Sequence, residues 1–85
     1  MGRALRIIER AALLGDRSQA LAHFRVTRSA ARAASVNYWV FEDVARPGHW
    51  VEFVEARDGE TLRRALDALD LAEGDASILN EVELD

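Results

Sequence analysis

The sequence predicts an α+β domain with the element order β-α-β-β-α-β. Three observations carry that prediction. Two segments rich in β-branched and aromatic residues, VNYWVFED and HWVEFVEA, flank the connection VARPG and read as a hairpin. Two stretches carry apolar residues at helical spacing, and each begins behind an aspartate. Gly15, Gly48, Gly59 and Gly74 fall at boundaries between these segments.

The first element lies in RALRIIERAALL, Arg3 to Leu14. Leu5, Ile7, Glu9 and Ala11 alternate with Arg6, Ile8, Arg10 and Ala12, a strand pattern. Alanine, leucine, arginine and glutamate also favour helix, so an all-helical N-terminal half is the rival; the hairpin downstream selects the strand. Asp16 then serves as an N-cap, with Gln19 three residues later completing a capping box. The helix runs from about Arg17 to Ala33. Ala20, Phe24, Thr27, Ala31 and Ala34 share one face with Leu21 beside them, while Arg17, Arg25, Arg28 and Arg32 point to solvent.

The hairpin follows, Val36–Asp43 and His49–Ala56. Asp58 caps a second helix that starts at Gly59 and carries the stripe Leu62, Ala65, Leu66 and Leu69. The pattern breaks at AEGDA, residues 72–76, and SILNEVEL, Ser77 to Leu84, closes as a strand. The sequence contains neither an internal repeat nor a low-complexity tract, and residues 1–85 are expected to form one domain.

A chain of 85 residues buries a small share of its surface, yet 49% of this one is hydrophobic, enough for a core and some apolar surface between chains. It has no cysteine, and its two histidines, His23 and His49, lack metal-ligand spacing, so disulfide and metal chemistry are not expected. No Gly-rich phosphate loop or nucleophile motif implies a cofactor. No apolar run is long enough to span a membrane, and the first nine residues are not a secretory signal, which points to the cytoplasm.

Residues 1–40 hold seven arginines against Glu9 and Asp16, a balance of +5; residues 41–85 hold four against thirteen acids, a balance of −9. That polarity favours pairing of like chains. The basic half lacks interleaved aromatics and the chain is net acidic, which argues against nucleic acid as a partner.

Placing Glu42 opposite His49 sets the hairpin register. Val40 then faces Val51, Tyr38 faces Phe53 and Val36 faces Glu55, an apolar side suited to packing under both helices. The other side gathers Asn37, Trp39, Phe41, Trp50, Glu52 and Val54. With both helices assigned to the first side, such an apolar patch needs a cover, and a second copy of the sheet is the economical one. In a split βαβ arrangement the first strand lies beside the third, bringing Arg6, Ile8 and Arg10 to the face of Trp50, Glu52 and Val54. An arginine there offsets part of the desolvation cost of Glu52.

The element order, and above all the stretch YWVFEDVARPGHWVEFVEARDGETLRRAL from Tyr38 to Leu66, resembles the dimeric α+β barrel superfamily, which includes antibiotic-biosynthesis monooxygenase-like and stress-responsive A/B-barrel proteins. The resemblance implies a ferredoxin-like subunit with a four-stranded antiparallel sheet, two helices on one face, and a homodimer formed through the sheets. Some members oxidise aromatic molecules without metal or cofactor, using an Asn and a Trp near the substrate; Asn37 and Trp39 are the nearest counterparts. Glu52 as a base and His23 on the first helix complete the candidate catalytic set, with Trp39, Trp50, Phe41 and Arg6 as candidate ligand contacts. The same residues have a structural alternative, in which the tryptophans are interface core and Glu52 an ion-paired carboxylate. Fold resemblance does not choose between a homodimer that binds or oxidises a small aromatic molecule and a non-catalytic interaction module.

Overall fold

The structure, a computed structural model, describes residues 2–11, 15–71 and 77–84. It contains β1 (Ala4–Ala11), α1 (Arg17–Ala33), β2 (Asn37–Glu42), β3 (His49–Ala56), α2 (Gly59–Ala68) and β4 (Ile78–Asn80), the predicted order. The N-terminal segment is a strand: tertiary pairing overrides its helical propensity, because β1 lies against β3 over its whole length. Residues 12–14 and 72–76, part of the first-strand and AEGDA readings, lie outside the described residues.

Both helix starts follow the sequence chemistry. Asp16 Oδ1 accepts from the Gln19 N–H at 2.9 Å while the Gln19 side chain accepts from the Asp16 N–H at 3.0 Å. Asp58 accepts from the Thr61 N–H at 2.7 Å, which holds its carboxyl below the usual carboxylate range.

Both helix ends close in the same way, without glycine. Ser35 (φ 60°) and Asp70 (φ 57°) adopt left-handed backbone. Behind each, a paired set of bonds closes a Schellman motif: Ser35 N–H to Arg32 O and Val36 N–H to Ala31 O, then Asp70 N–H to Asp67 O and Leu71 N–H to Leu66 O. Val36 and Leu71 are thereby buried in the core. Val36 therefore ends α1 and does not open β2, in contrast to the sequence-based expectation.

The sheet order is β2-β3-β1-β4, every neighbouring pair antiparallel, an arrangement compatible with a ferredoxin-like fold. The expected hairpin register is wrong by one residue. Glu42 lies opposite Trp50, Val40 opposite Glu52, Tyr38 opposite Val54, Trp39 opposite Phe53 and Asn37 opposite Glu55. Two carboxylates fix the turn that sets this pairing. Glu42 accepts from the Gly48 N–H at 3.0 Å, and Asp43 accepts from the Ala45 N–H at 2.8 Å and from the Arg46 guanidinium at 2.9 Å. Gly48 sits at φ 86°, which a side chain would strain.

The slip turns β3 over relative to β2. Trp50, Glu52, Val54 and Ala56 face the helices with Tyr38 and Val40; Val51, Phe53 and Glu55 face the other way with Asn37, Trp39 and Phe41. The expected grouping of Arg6, Ile8 and Arg10 with Trp50, Glu52 and Val54 is correct, but that group lies beneath the helices.

Both helices pack on this one face. Leu62, Ala65 and Leu66 of α2 and Ala31 of α1 meet Ala4, Val54 and Ala56 in one apolar cluster. Ala20 and Phe24 of α1 form a second with Trp50, whose ring lies edge-on to Phe24 at 5.3 Å. The last strand is shorter than expected. One further bond joins Glu81 N–H to Arg3 O, beyond which Val82 and Leu84 are exposed. Among the described residues no helix is long and apolar enough to cross a membrane.

Candidate functional site

Three features could carry function: a buried polar trio beneath the helices, the sheet face they leave open, and a groove at the sheet edge.

The trio is centred on Glu52, whose relative exposure is 0%. Its position midway along β3 and the pairing of β3 with both β1 and β2 bring three side chains together. Oε2 accepts from Arg10 Nε and Oε1 from the Tyr38 hydroxyl. A buried carboxylate is costly without such partners, and here a cation and a hydroxyl each take one oxygen. Burial, then the bond to Glu52, then the charge of Glu52 push the Tyr38 phenol well above its ordinary value of 10.0. Tyr38 thus stays protonated as a donor. The trio is closed: Glu52 is sealed from ligand and both its oxygens are occupied.

Tyr38 is the sole tyrosine of the chain, so its ionisation can be followed directly. A phenol with a raised folded-state pKa stabilises the fold fully below the unfolded value and loses that contribution as the pH climbs above it, because only the unfolded chain releases the proton. Near-ultraviolet titration should therefore show no phenolate until the chain unfolds above about pH 10. A reversible titration at the ordinary value in folded protein would place Tyr38 away from Glu52.

The open face is apolar along its middle. Leu5, Ile7, Val51 and Phe53 are partly exposed, Trp39 is 46% and Phe41 58% exposed, and Phe41 meets Phe53 edge-on at 5.3 Å. Polar groups close one end: Glu55 pairs with Arg3 at 3.2 Å and accepts from Asn37 Nδ2 at 3.0 Å. Glu9 and His49 stand towards the other end. No described element covers this face.

The groove, of about 550 Å³, runs between α1 and β2. Leu21, Phe24, Tyr38, Val40 and Trp50 line it beneath the side chains of Arg17, Arg25 and Arg28. Arg17 donates to both Glu42 oxygens at 2.8 and 3.0 Å, and its guanidinium stands 5.3 Å from the centre of the Trp50 ring. The Gly48 N–H and, less strongly, the bond from Arg17 hold the Glu42 carboxyl below its ordinary value.

The candidate catalytic residues are not brought together. Asn37 is on the open face, bonded to Glu55; Glu52 is buried under the helices; His23 is exposed on α1, its ring edge-on to Phe24 at 5.6 Å. The candidate ligand contacts divide likewise. Trp39 and Phe41 belong to the open face, Trp50 and Arg6 to the buried one. The arginine partner anticipated for Glu52 is present as Arg10. The slipped register exchanges the faces of Glu52 and Phe53 while Tyr38 keeps its side, and the turn carboxylates Glu42 and Asp43 are the sequence signal that could have corrected it. Among the described residues no cluster of three or more His, Asp or Glu side chains is arranged to hold a metal. Comparison of the chain with family models, curated proteins and solved structures finds no match.

Proposed function

We propose that this chain is a homodimerising domain of the dimeric α+β barrel type, in which the open sheet face of one copy packs on that of another, and that its role is interaction rather than catalysis. The observation that supports it is the exposed apolar middle of that face, with Trp39 and Phe41 about half exposed although they sit in regular strand. Monomeric proteins seldom leave such a patch bare. Strands about 4.8 Å apart, rising about 3.4 Å per residue, make a face of roughly 20 by 25 Å. Side-chain relief brings its area towards the roughly 800 Å² per partner of a standard interface. The polar end at Arg3, Glu55 and Asn37 supplies a rim of the kind interfaces carry. A cofactor-independent oxidation would need Asn37, Trp39 and Glu52 around one substrate, and they stand on two sides of the sheet.

Size-exclusion chromatography with light scattering tests the proposal. The wild-type chain should run as a dimer at micromolar concentration. Phe53→Glu, at the centre of the face between Ile7 and Trp39, should give a folded monomer through a loss on the order of 2 kcal/mol or more in association. A monomeric wild type, or a Phe53→Glu variant that remains a dimer, would overturn the face assignment.

A further inference from the structure

β2 ends the sheet. In the order β2-β3-β1-β4 its outer side has no strand partner among the described residues. Natural edge strands are usually blunted by a bulge, a proline, a lysine or brevity, since their free N–H and C=O groups recruit other chains. β2 has none of these protections. NYWVFE pairs with β3 without interruption over six residues, and its one charge, Glu42 at the end, is already bound to Arg17 and the Gly48 N–H.

The side chains around this edge differ on its two sides. Towards the helices, Arg25 and Arg28 stand one turn apart on α1 over the groove; both are exposed, and neither has an ion pair among the described residues. Towards the open face, the edge presents Trp39 and Phe41. An added strand sends alternate side chains to these two sides. It would meet cations on one and aromatic surface on the other.

We propose that the groove between α1 and β2 takes an extended acidic peptide, which pairs with the outer edge of β2 as an additional strand. Its acidic side chains meet Arg25 and Arg28, and the alternating apolar ones lie beside Trp39 and Phe41. Main-chain bonds give the affinity and the two flanks give the selection, as in other strand-addition complexes. Charge decides against the β2 edge of a second copy as the occupant, because that pairing brings two arginine rims together. The proposal does not rest on face-to-face dimerisation: the free backbone edge and the arginines lie outside that interface, and the Trp39 and Phe41 flank is common to both.

The test uses the whole chain and a fluorescent seven-residue peptide of alternating glutamate and valine, followed by anisotropy. Binding should saturate and weaken as salt is raised. Arg25→Glu combined with Arg28→Glu should reduce affinity by about tenfold or more, through repulsion in place of attraction. Circular dichroism checks that this surface variant is folded. Two further peptides, N-methylated on odd or on even nitrogens, probe the backbone with unaltered protein. One of the two should lose about tenfold, because an added strand donates through alternate N–H groups. The proposal is overturned if both methylated peptides bind like the parent, if a lysine–valine peptide binds equally well, if the arginine variant binds unchanged, or if binding does not saturate by millimolar concentration.

Discussion

Arg10→Ala should destabilise the domain by about 3–5 kcal/mol, the loss expected when a buried ion pair is broken and one charge is left behind. The charge left behind is Glu52, which has no exposure to water and keeps the Tyr38 hydroxyl as a donor. For a domain whose whole stability is on the order of 5–15 kcal/mol, a loss of that size leaves little folded margin. Tyr38→Phe should cost less, about 1.5–3 kcal/mol, because it deletes one bond to a charged acceptor and leaves the ion pair. Arg10→Met with Glu52→Leu should recover most of the Arg10→Ala loss, since it removes both charges and fills the space with apolar atoms. Urea denaturation of the four proteins measures all of this. A loss below about 1 kcal/mol for Arg10→Ala would mean that Glu52 reaches water, as an exposed pair does.

The trio also explains which parts of the fold are legible in the sequence. Helix starts are legible because their signals are local. Asp16 with Gln19, Asp58, and the apolar stripe on each helix state the start and the buried face within one or two turns. The register of β3 is not local. Trp50, Glu52, Val54 and Ala56 form one of its sides, and His49, Val51, Phe53 and Glu55 the other. Each carries apolar residues and a glutamate, so hydrophobic alternation does not choose between them. The choice falls to a turn whose geometry is held by Glu42 and Asp43, and to the match of Tyr38 and Arg10 with Glu52 across three strands. The C-terminal ends of the helices are hidden for a different reason. Glycine is the usual signal for a left-handed closure, and here Ser35 and Asp70 supply it. The candidate site follows the register: Trp39 and Phe41 keep their place on an uncovered face, while Trp50 and Glu52 move to the core.

The two tryptophans separate these registers by experiment. Trp50 is 6% exposed, in contact with Phe24 and covered by the Arg17 guanidinium. Trp50→Ala should therefore cost about 3–5 kcal/mol, as a large aromatic truncation in a packed core does. The cost should be the same at low and high protein concentration, because the indole packs within its own chain. Trp39 is 46% exposed on the open face, and its truncation should cost the isolated chain much less. Under the proposed pairing its cost should grow with protein concentration, because the indole then packs against the second copy and association stabilises the fold by mass action. Thermal unfolding of both variants over a hundredfold range of concentration reads the difference. If the cost of both truncations grew with concentration, the two indoles would share the self-association face, as they do only when Trp39 and Trp50 face the same way. If Trp39→Ala were inexpensive at every concentration, the register would stand, and the open face would not be a self-association surface.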